Sequence, residues 1–276
     1  MKLRRPKYIK GASFCCSLVL ALGFVACSVG LDNKHWRLAE DAFRQGQYRM
    51  AIEEYTRVVN FGGRSVLAVQ AQFQIAEIYD EQLKNYPLAI RAYRDAVKRS
   101  DDKALKIRSR WAIAKVYVDK LEKPGIAAEE YEGLYTELAQ YERQGPEILL
   151  AWAKALMDAG QFSLAAKKYA EFRRVYSGHR DGPRSLLEEG QAHMADRRFD
   201  LAKENFREVI EKFSNNAEYT GLVGEAYYGL GGALEANQEY PAALESFKQS
   251  LALYPNKKVI ELKIEGVMKR KKEKQL

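Results

Sequence analysis

Residues 227–255 read YYGLGGALEANQEYPAALESFKQSLALYP, two apolar runs at helical spacing on either side of a polar turn. In the first run Tyr227, Leu230, Gly231 and Leu234 fall on one helical face; in the second, Ala243, Leu244, Phe247 and Leu251 do the same. Ala243 is followed four residues later by the ring of Phe247, and Gly231 lies twelve residues upstream. That pairing recurs along the chain as Ala51–Tyr55, Ala89–Tyr93, Ala127–Tyr131, Ala165–Tyr169 and Ala202–Phe206. Successive alanines are 38, 38, 38, 37 and 41 residues apart, and each has a small residue 12 or 13 positions before it: Ala39, Ala76, Ala114, Ala153, Gly190 and Gly231. A fixed period near 40 marks a helical repeat array. The cause is steric, because antiparallel helices approach closely only where one presents Ala or Gly, and a ring one turn later fills the groove beside the contact.

This pattern resembles the tetratricopeptide repeat (TPR) family from residue 35 to 255, most closely in the last repeat and in the first, with Leu38, Ala39, Ala42, Gly46, Tyr48, Ala51, Ile52, Tyr55 and Val58. The resemblance implies an all-α, right-handed TPR superhelical solenoid of six helix pairs, at about 35–64, 69–101, 107–139, 146–179, 183–215 and 224–256. The fifth repeat departs most, since Glu189 and His193 stand at apolar positions and Arg197 at the turn glycine. In repeats two and three the small residue and the alanine are 13 apart, so one extra residue is expected in the turn between the paired helices. Pro87, Pro124 and Pro241 fall in the first turn of the second helix, where a missing N–H costs little. No Pro/Gly/Ser-rich linker interrupts the array, which reads as one continuous domain. Gln140–Pro146 is the nearest thing to a break.

The two ends carry the charge. Lys2, Arg4, Arg5, Lys7 and Lys10 precede an apolar run from Phe14 to Phe24, followed by Val25-Ala26-Cys27. This resembles a bacterial lipoprotein signal, which implies a signal peptide over 1–26, lipid on Cys27 and a short tether over 27–34. The alternative is an uncleaved anchor, because Gly11 to Leu31 is free of charge and about 20 residues suffice to span a bilayer. Either reading puts the repeats outside the cytoplasm. Ser28 resembles the sorting choice of outer-membrane lipoproteins, so the expected location is the periplasmic face of the outer membrane, with the inner membrane as alternative. Residues 257–276 hold eight basic and three acidic residues and read as a capping helix followed by a solvated basic tail, or one that meets an anionic surface. The formal charge of +8 therefore belongs to the ends; the repeat body holds 32 basic and 34 acidic residues, which gives no basic face for nucleic acid. After cleavage no second thiol remains to pair with Cys27.

Chemistry is sparse. His35, His179 and His193 lie in separate repeats without metal-ligand spacing, so no metal or cofactor is expected. Gly229-Leu-Gly231-Gly232 lacks the strand and third glycine of a dinucleotide fingerprint and reads as close helix packing. No nucleophile, base and acid come together, so an enzyme is not expected. The layout resembles a group of bacterial TPR envelope proteins: the β-barrel assembly lipoprotein BamD, the division-associated coordinator CpoB and the type IV pilus pilotin. That resemblance implies a lipid-anchored scaffold that binds partner proteins and no small-molecule substrate. In TPR arrays the first helix of each pair lines the concave face, which implies a partner groove at Trp36, Phe73, Trp111, Leu150, Leu187 and Tyr228. The neighbouring charges Glu40, Glu77, Asp80, Lys115, Lys154 and Glu235 are mixed, and a partner with an apolar ridge is expected. The competing reading is a glycan- or peptidoglycan-handling, or division-associated, module using Trp36, Trp111 and Trp152. It needs rings beside Asn, Asp or Gln on an open surface.

Overall fold

The computed structural model describes residues 15–139, 142–253 and 257–274, with side chains from Gly30 onward apart from residues 138, 139 and 274. Among them are thirteen α-helices and no strand. The chain divides into two compact units between Val116 and Tyr117. The boundary falls inside the third repeat, at the wider turn Val116–Lys120.

The first unit holds α1 (Cys15–Arg44), α2 (Tyr48–Gly62), α3 (Val66–Glu77), α4 (Tyr86–Arg99) and α5 (Lys103–Lys115). The second holds α6 (Pro124–Leu134), α7 (Gly145–Asp158), α8 (Phe162–Val175), α9 (Gly182–Ala195), α10 (Phe199–Phe213), α11 (Thr220–Ala236), α12 (Tyr240–Leu253) and α13 (Lys257–Lys274). Within each unit a helix packs mainly on its neighbours in sequence, the organisation of a repeat array. All six alanines of the period are fully buried, and their ring partners are at most 4% exposed. Where the upstream residue is glycine, the ring occupies the vacant place: a Cβ on Gly190 would meet Phe206 at 2.8 Å, and one on Gly231 would meet Phe247 at 2.7 Å.

The turn inside each pair follows one rule. Gly46, Lys84, Glu122, Gly160, Arg197 and Gln238, each five residues before the buried alanine, all have φ between 52° and 73°. In the first repeat the N–H of Gln47 donates to the carbonyl of Ala42 and that of Gly46 to Phe43, and the same bonds close α7, α9 and α11. This is the left-handed cap that ends a helix while satisfying its last carbonyls. The second and third repeats close one residue wider, Asn85 to Tyr79 and Lys123 to Tyr117. Their extra residue is therefore not in the turn, as the spacing suggested, but in a π-helical turn at the end of the first helix, Ile78–Gln82 and Val116–Lys120. The insertion keeps the left-handed cap in register and is absorbed by i→i−5 bonding, as in Leu83 to Ile78.

Both ends of the described chain are helical. The tether expected over 27–34 is helical, part of the continuous α1. Asp32 there is 7% exposed, and its Oδ2 lies 3.3 Å from where a Cβ on Gly62 would be, so the helix is held against the end of α2. The Cys27 side chain and residues 1–14 lie outside what is described. Among the described residues no helix is long and apolar enough to cross a membrane. The C-terminal cap and the basic run form one helix, α13, which buries Ile260 and Val267 in the core around Leu234, Ala243 and Phe247. Glu235 of α11 draws its polar side in, meeting Lys263 at 3.0 Å and pairing with Arg270.

Candidate functional site

The expected groove residues separate into two kinds. Phe73 is 4% exposed and Leu187 fully buried, so neither offers an open surface. Trp36, Trp111, Leu150 and Tyr228 are half-buried. The reason is that this register faces the ring of the same repeat: Trp36 meets Tyr55 at 5.2 Å, Phe73 meets Tyr93 at 5.4 Å and Tyr228 meets Phe247 at 5.6 Å between centroids. The stripe is as much core as groove. Trp152, the third candidate for sugar stacking, is 4% exposed, and Lys168 Nζ sits 3.8 Å above its ring.

What opens to solvent lies around that stripe. In the first unit a cleft of about 320 Å³ is lined by Trp36 of α1, Gln70, Phe73 and Gln74 of α3, and Asp102, Ala104, Leu105 and Arg108 at the start of α5. The Arg108 guanidinium lies 4.2 Å above the Phe73 ring and reaches Glu77 Oε1 at 3.4 Å. Burial lifts the Glu77 carboxyl above the usual carboxylate range, against the pull of Arg108. Gln74 donates to Glu77 at 2.9 Å. In the second unit a cleft of about 380 Å³ has Met194, Phe206, Tyr228, Gly229 and Gly232 as its apolar wall, and Gln191, Glu225 and Lys263 as its polar one. The two clefts use matching positions: Gln70 and Phe73 stand six and three residues before Ala76, and Glu225 and Tyr228 six and three before Gly231. At the six-before position each repeat carries a polar residue: Asn33, Gln70, Arg108, Glu147, Arg184 and Glu225. In the second unit neighbours of this series bond to each other, Arg184 Nη1 donating to both Glu225 oxygens at 2.9 Å. The sequence reading missed this series, although its constant offset from the small residue was there to be found.

The fifth repeat explains its departures. Glu189 of α9 is 9% exposed, pairs with Arg173 of α8, and lies 3.9 Å from His193 Nε2. Burial lowers the His193 pKa, with Arg198 adding to that direction and Glu189 opposing it. Among the described residues no group of three or more His, Cys, Asp or Glu could hold a metal ion. His35 instead meets Glu54 at 2.6 Å and stacks on Phe61.

The TPR family model, described as tetratricopeptide repeat, matches residues 37–104, 150–216 and 187–258, more than half of the chain. The chain belongs to the tetratricopeptide repeat family. No curated protein sequence matches this TPR chain. Among solved structures it is similar to the nearly identical TPR-like repeats of a putative kinesin light chain from Podosopora anserina, at 19% identity and a TM-score of 0.52 over 67% of this chain and 93% of that one. It is similar to the TPR protein YrrB, described as having an unusual peptide-binding site, at 15% identity and 0.52 over 75% and 95%. A TPR protein from Parabacteroides merdae aligns at 15% identity and 0.50 over 87% and 99%. At these identities the likeness is one of fold.

Proposed function

We propose that this TPR protein is a non-enzymatic scaffold of the bacterial envelope, anchored by lipid on Cys27 at the periplasmic face of the outer membrane, that holds a partner protein against its first helices. The observation that carries the binding role is the cleft of the first unit. Trp36 and Leu105 offer apolar surface, Gln70 and Gln74 offer amides that both donate and accept, and Arg108 adds a planar cation. An extended or helical peptide with an apolar ridge satisfies all three. The peptide-binding site described for YrrB, a protein of the same fold, is in keeping with this reading. The anchoring role rests on the basic start, the apolar run and the small residues before Cys27.

Photo-crosslinkers placed in cells at Gln74 and, as control, at Leu164, which is 45% exposed, test the binding role. One protein should be captured from Gln74 and not from Leu164, and capture should be lost with Trp36→Ala. Equal labelling from both positions would end the proposal. Intact mass of the native protein tests the anchor, which requires acyl groups on Cys27.

A second reading has one observation in its favour: Trp36 stands with Gln70, Gln74 and Asp102 in a single cleft, the ring-and-amide company that a sugar needs. Titration of tryptophan fluorescence with peptide-free glycan chains prepared from peptidoglycan separates the two, since a peptide-binding cleft leaves it unchanged.

A further inference from the structure

The first repeat leaves open a surface that every later repeat buries. Lys34 and Leu38 stand five and one residues before the small residue Ala39, and Asp41 stands two after it. In each of the five later repeats the matching three residues are at most 9% exposed, as with Ala71, Ile75 and Ile78 of the second or Ala226, Leu230 and Ala233 of the sixth. All of them are small or apolar except Glu189. The preceding repeat covers them, since α1, which follows no repeat, keeps Leu38 at 43%, Leu31 at 40%, and Lys34 and Asp41 exposed. At 100° per residue Leu31, Lys34, Leu38 and Asp41 fall within about 80° of arc, at the alternating three- and four-residue steps of a helix–helix seam. Trp36 points to the other side of α1, so this face is separate from the peptide cleft. Its two charges are opposite in sign and share one flank of Leu38, about 6 Å before it and about 4.5 Å after it along the axis. Lys34 has no ion pair among the described residues, and Asp41 has an exposed one to Arg44 at 2.8 Å.

We propose that this face takes the same face of a second copy, the two α1 helices lying antiparallel with Leu38 against Leu38. A two-fold axis across the helices then brings Lys34 of each copy to Asp41 of the other, and Leu31 packs at either end. A parallel pair would set Lys34 on Lys34 and Asp41 on Asp41, and like charges held together disfavour it. A foreign helix would have to carry the matching order of leucines and charges, which a second copy has by symmetry. In the single chain Lys34 and Asp41 keep the end of the array polar, as a terminal repeat needs; in the pair they choose the partner. One helix stripe makes a small interface, so the association is reversible. The inference does not rest on lipidation at Cys27 or on the peptide cleft.

Full chains carrying two different tags, co-expressed and solubilised in detergent, test it. A photo-crosslinker at Leu31 of one chain should capture the chain with the other tag. One at Leu201, of similar exposure at 39%, should not, which excludes mere sharing of a micelle. Lys34→Asp in every chain sets acid against acid and should lower capture about ten-fold or more, and Asp41→Lys in every chain should do the same. Co-expressing the Lys34→Asp chain with the Asp41→Lys chain restores opposite signs at both contacts and should restore capture. That recovery also shows that neither substitution has unfolded α1. No capture from Leu31 in the unsubstituted chain would overturn the proposal. So would single variants that capture as well as it does, or a mixture that captures no better than either variant alone.

Discussion

A Cβ on Gly229 would lie 2.5 Å from Phe206 Cζ, so the ring of one repeat rests directly on the helix backbone of the next. The other side of that ring closes on Gly190, and Phe206 is 1% exposed. A rigid ring held between two helices cannot step aside. Gly229→Ala therefore overpacks the contact, and the gain in helix propensity offsets only part of the cost, leaving a net loss of about 1–2 kcal/mol. Gly221→Ala, in the same helix with nothing within 4 Å of its Cβ, serves as control and should not destabilise. Thermal unfolding of both variants checks the contrast, and equal melting temperatures would refute the wedge.

The left-handed turn residue makes the second prediction. Only two of its six occurrences are glycine, Gly46 and Gly160; Lys84, Glu122, Arg197 and Gln238 carry a Cβ at φ of 52° to 61°. That conformation costs an L-residue about 1–2 kcal/mol, partly returned by the lower unfolded-state entropy of a non-glycine. Arg197→Gly and Gln238→Gly should each stabilise by about 0.5–1 kcal/mol. Gly160→Ala should do the reverse. Denaturant midpoints measure all three, and a loss of stability in both glycine variants would count against the cap.

These two contacts mark where the sequence was legible. The buried alanines and their rings could be read because they repeat at one offset with one residue type, and the structure buries every one of them. Gly190 and Gly231 fell into the same series. Gly229 did not: its place in close helix packing was readable, but it faces the ring of the preceding repeat, 23 residues back, and not the ring of its own repeat, Phe247. The turn was legible at Gly46, and at Arg197 through its offset within the repeat, and hidden at Lys84, Glu122 and Gln238, since Lys, Glu and Gln adopt positive φ without any local signature. The extra residue of repeats two and three was counted correctly and placed wrongly, for spacing fixes how many residues separate two contacts and not which hydrogen bonds absorb the surplus. In the candidate site the rings were easily seen, yet a ring at helical spacing serves core and groove alike, and Phe73 and Leu187 proved to be core. Arg108 was missed because its role depends on lying over Phe73, a residue of another helix.

Alkaline pH should unfold the protein through the tyrosines of the period. Burial, helped by the nearby carboxylates of Glu40 and Glu77, pushes the Tyr55 phenol up to about 12, and burial with Asp119 does the same for Tyr131. Tyr93 and Tyr169 are raised as well, by burial first and neighbouring carboxylates second. A group whose pKa is higher folded than unfolded contributes stability that is complete below its unfolded value, about 10, and is lost as pH rises towards the folded one. Helicity should therefore hold to about pH 10 and fall above it, together with the rise in tyrosinate absorbance. Tyr131→Phe and Tyr169→Phe together should move the transition to higher pH, and an unmoved transition would show that these phenols do not drive it.

The cleft of the first unit supplies the last prediction, in which binding and stability must be told apart. Phe73 is 4% exposed, so Phe73→Ala removes core and should cost about 3–5 kcal/mol of stability, whatever it does to binding. Trp36 is half-buried, with its ring edge-on to Tyr55, and that contact contributes about 0.5–1.5 kcal/mol beyond area burial. Its open side faces the cleft, where truncation of an aromatic anchor costs about 2 kcal/mol or more of affinity. Arg108 is exposed, and its ion pair with Glu77 contributes at most about 1 kcal/mol to stability. Arg108→Ala should thus leave the melting temperature nearly unchanged while weakening partner capture. Arg108→Lys should rescue only partly, because an ammonium keeps the charge and loses the planar face that lies over Phe73. Calorimetric unfolding and partner affinity measured on the same four variants decide the matter: affinity that falls only in proportion to stability would make the cleft a surface of the core and not a binding site.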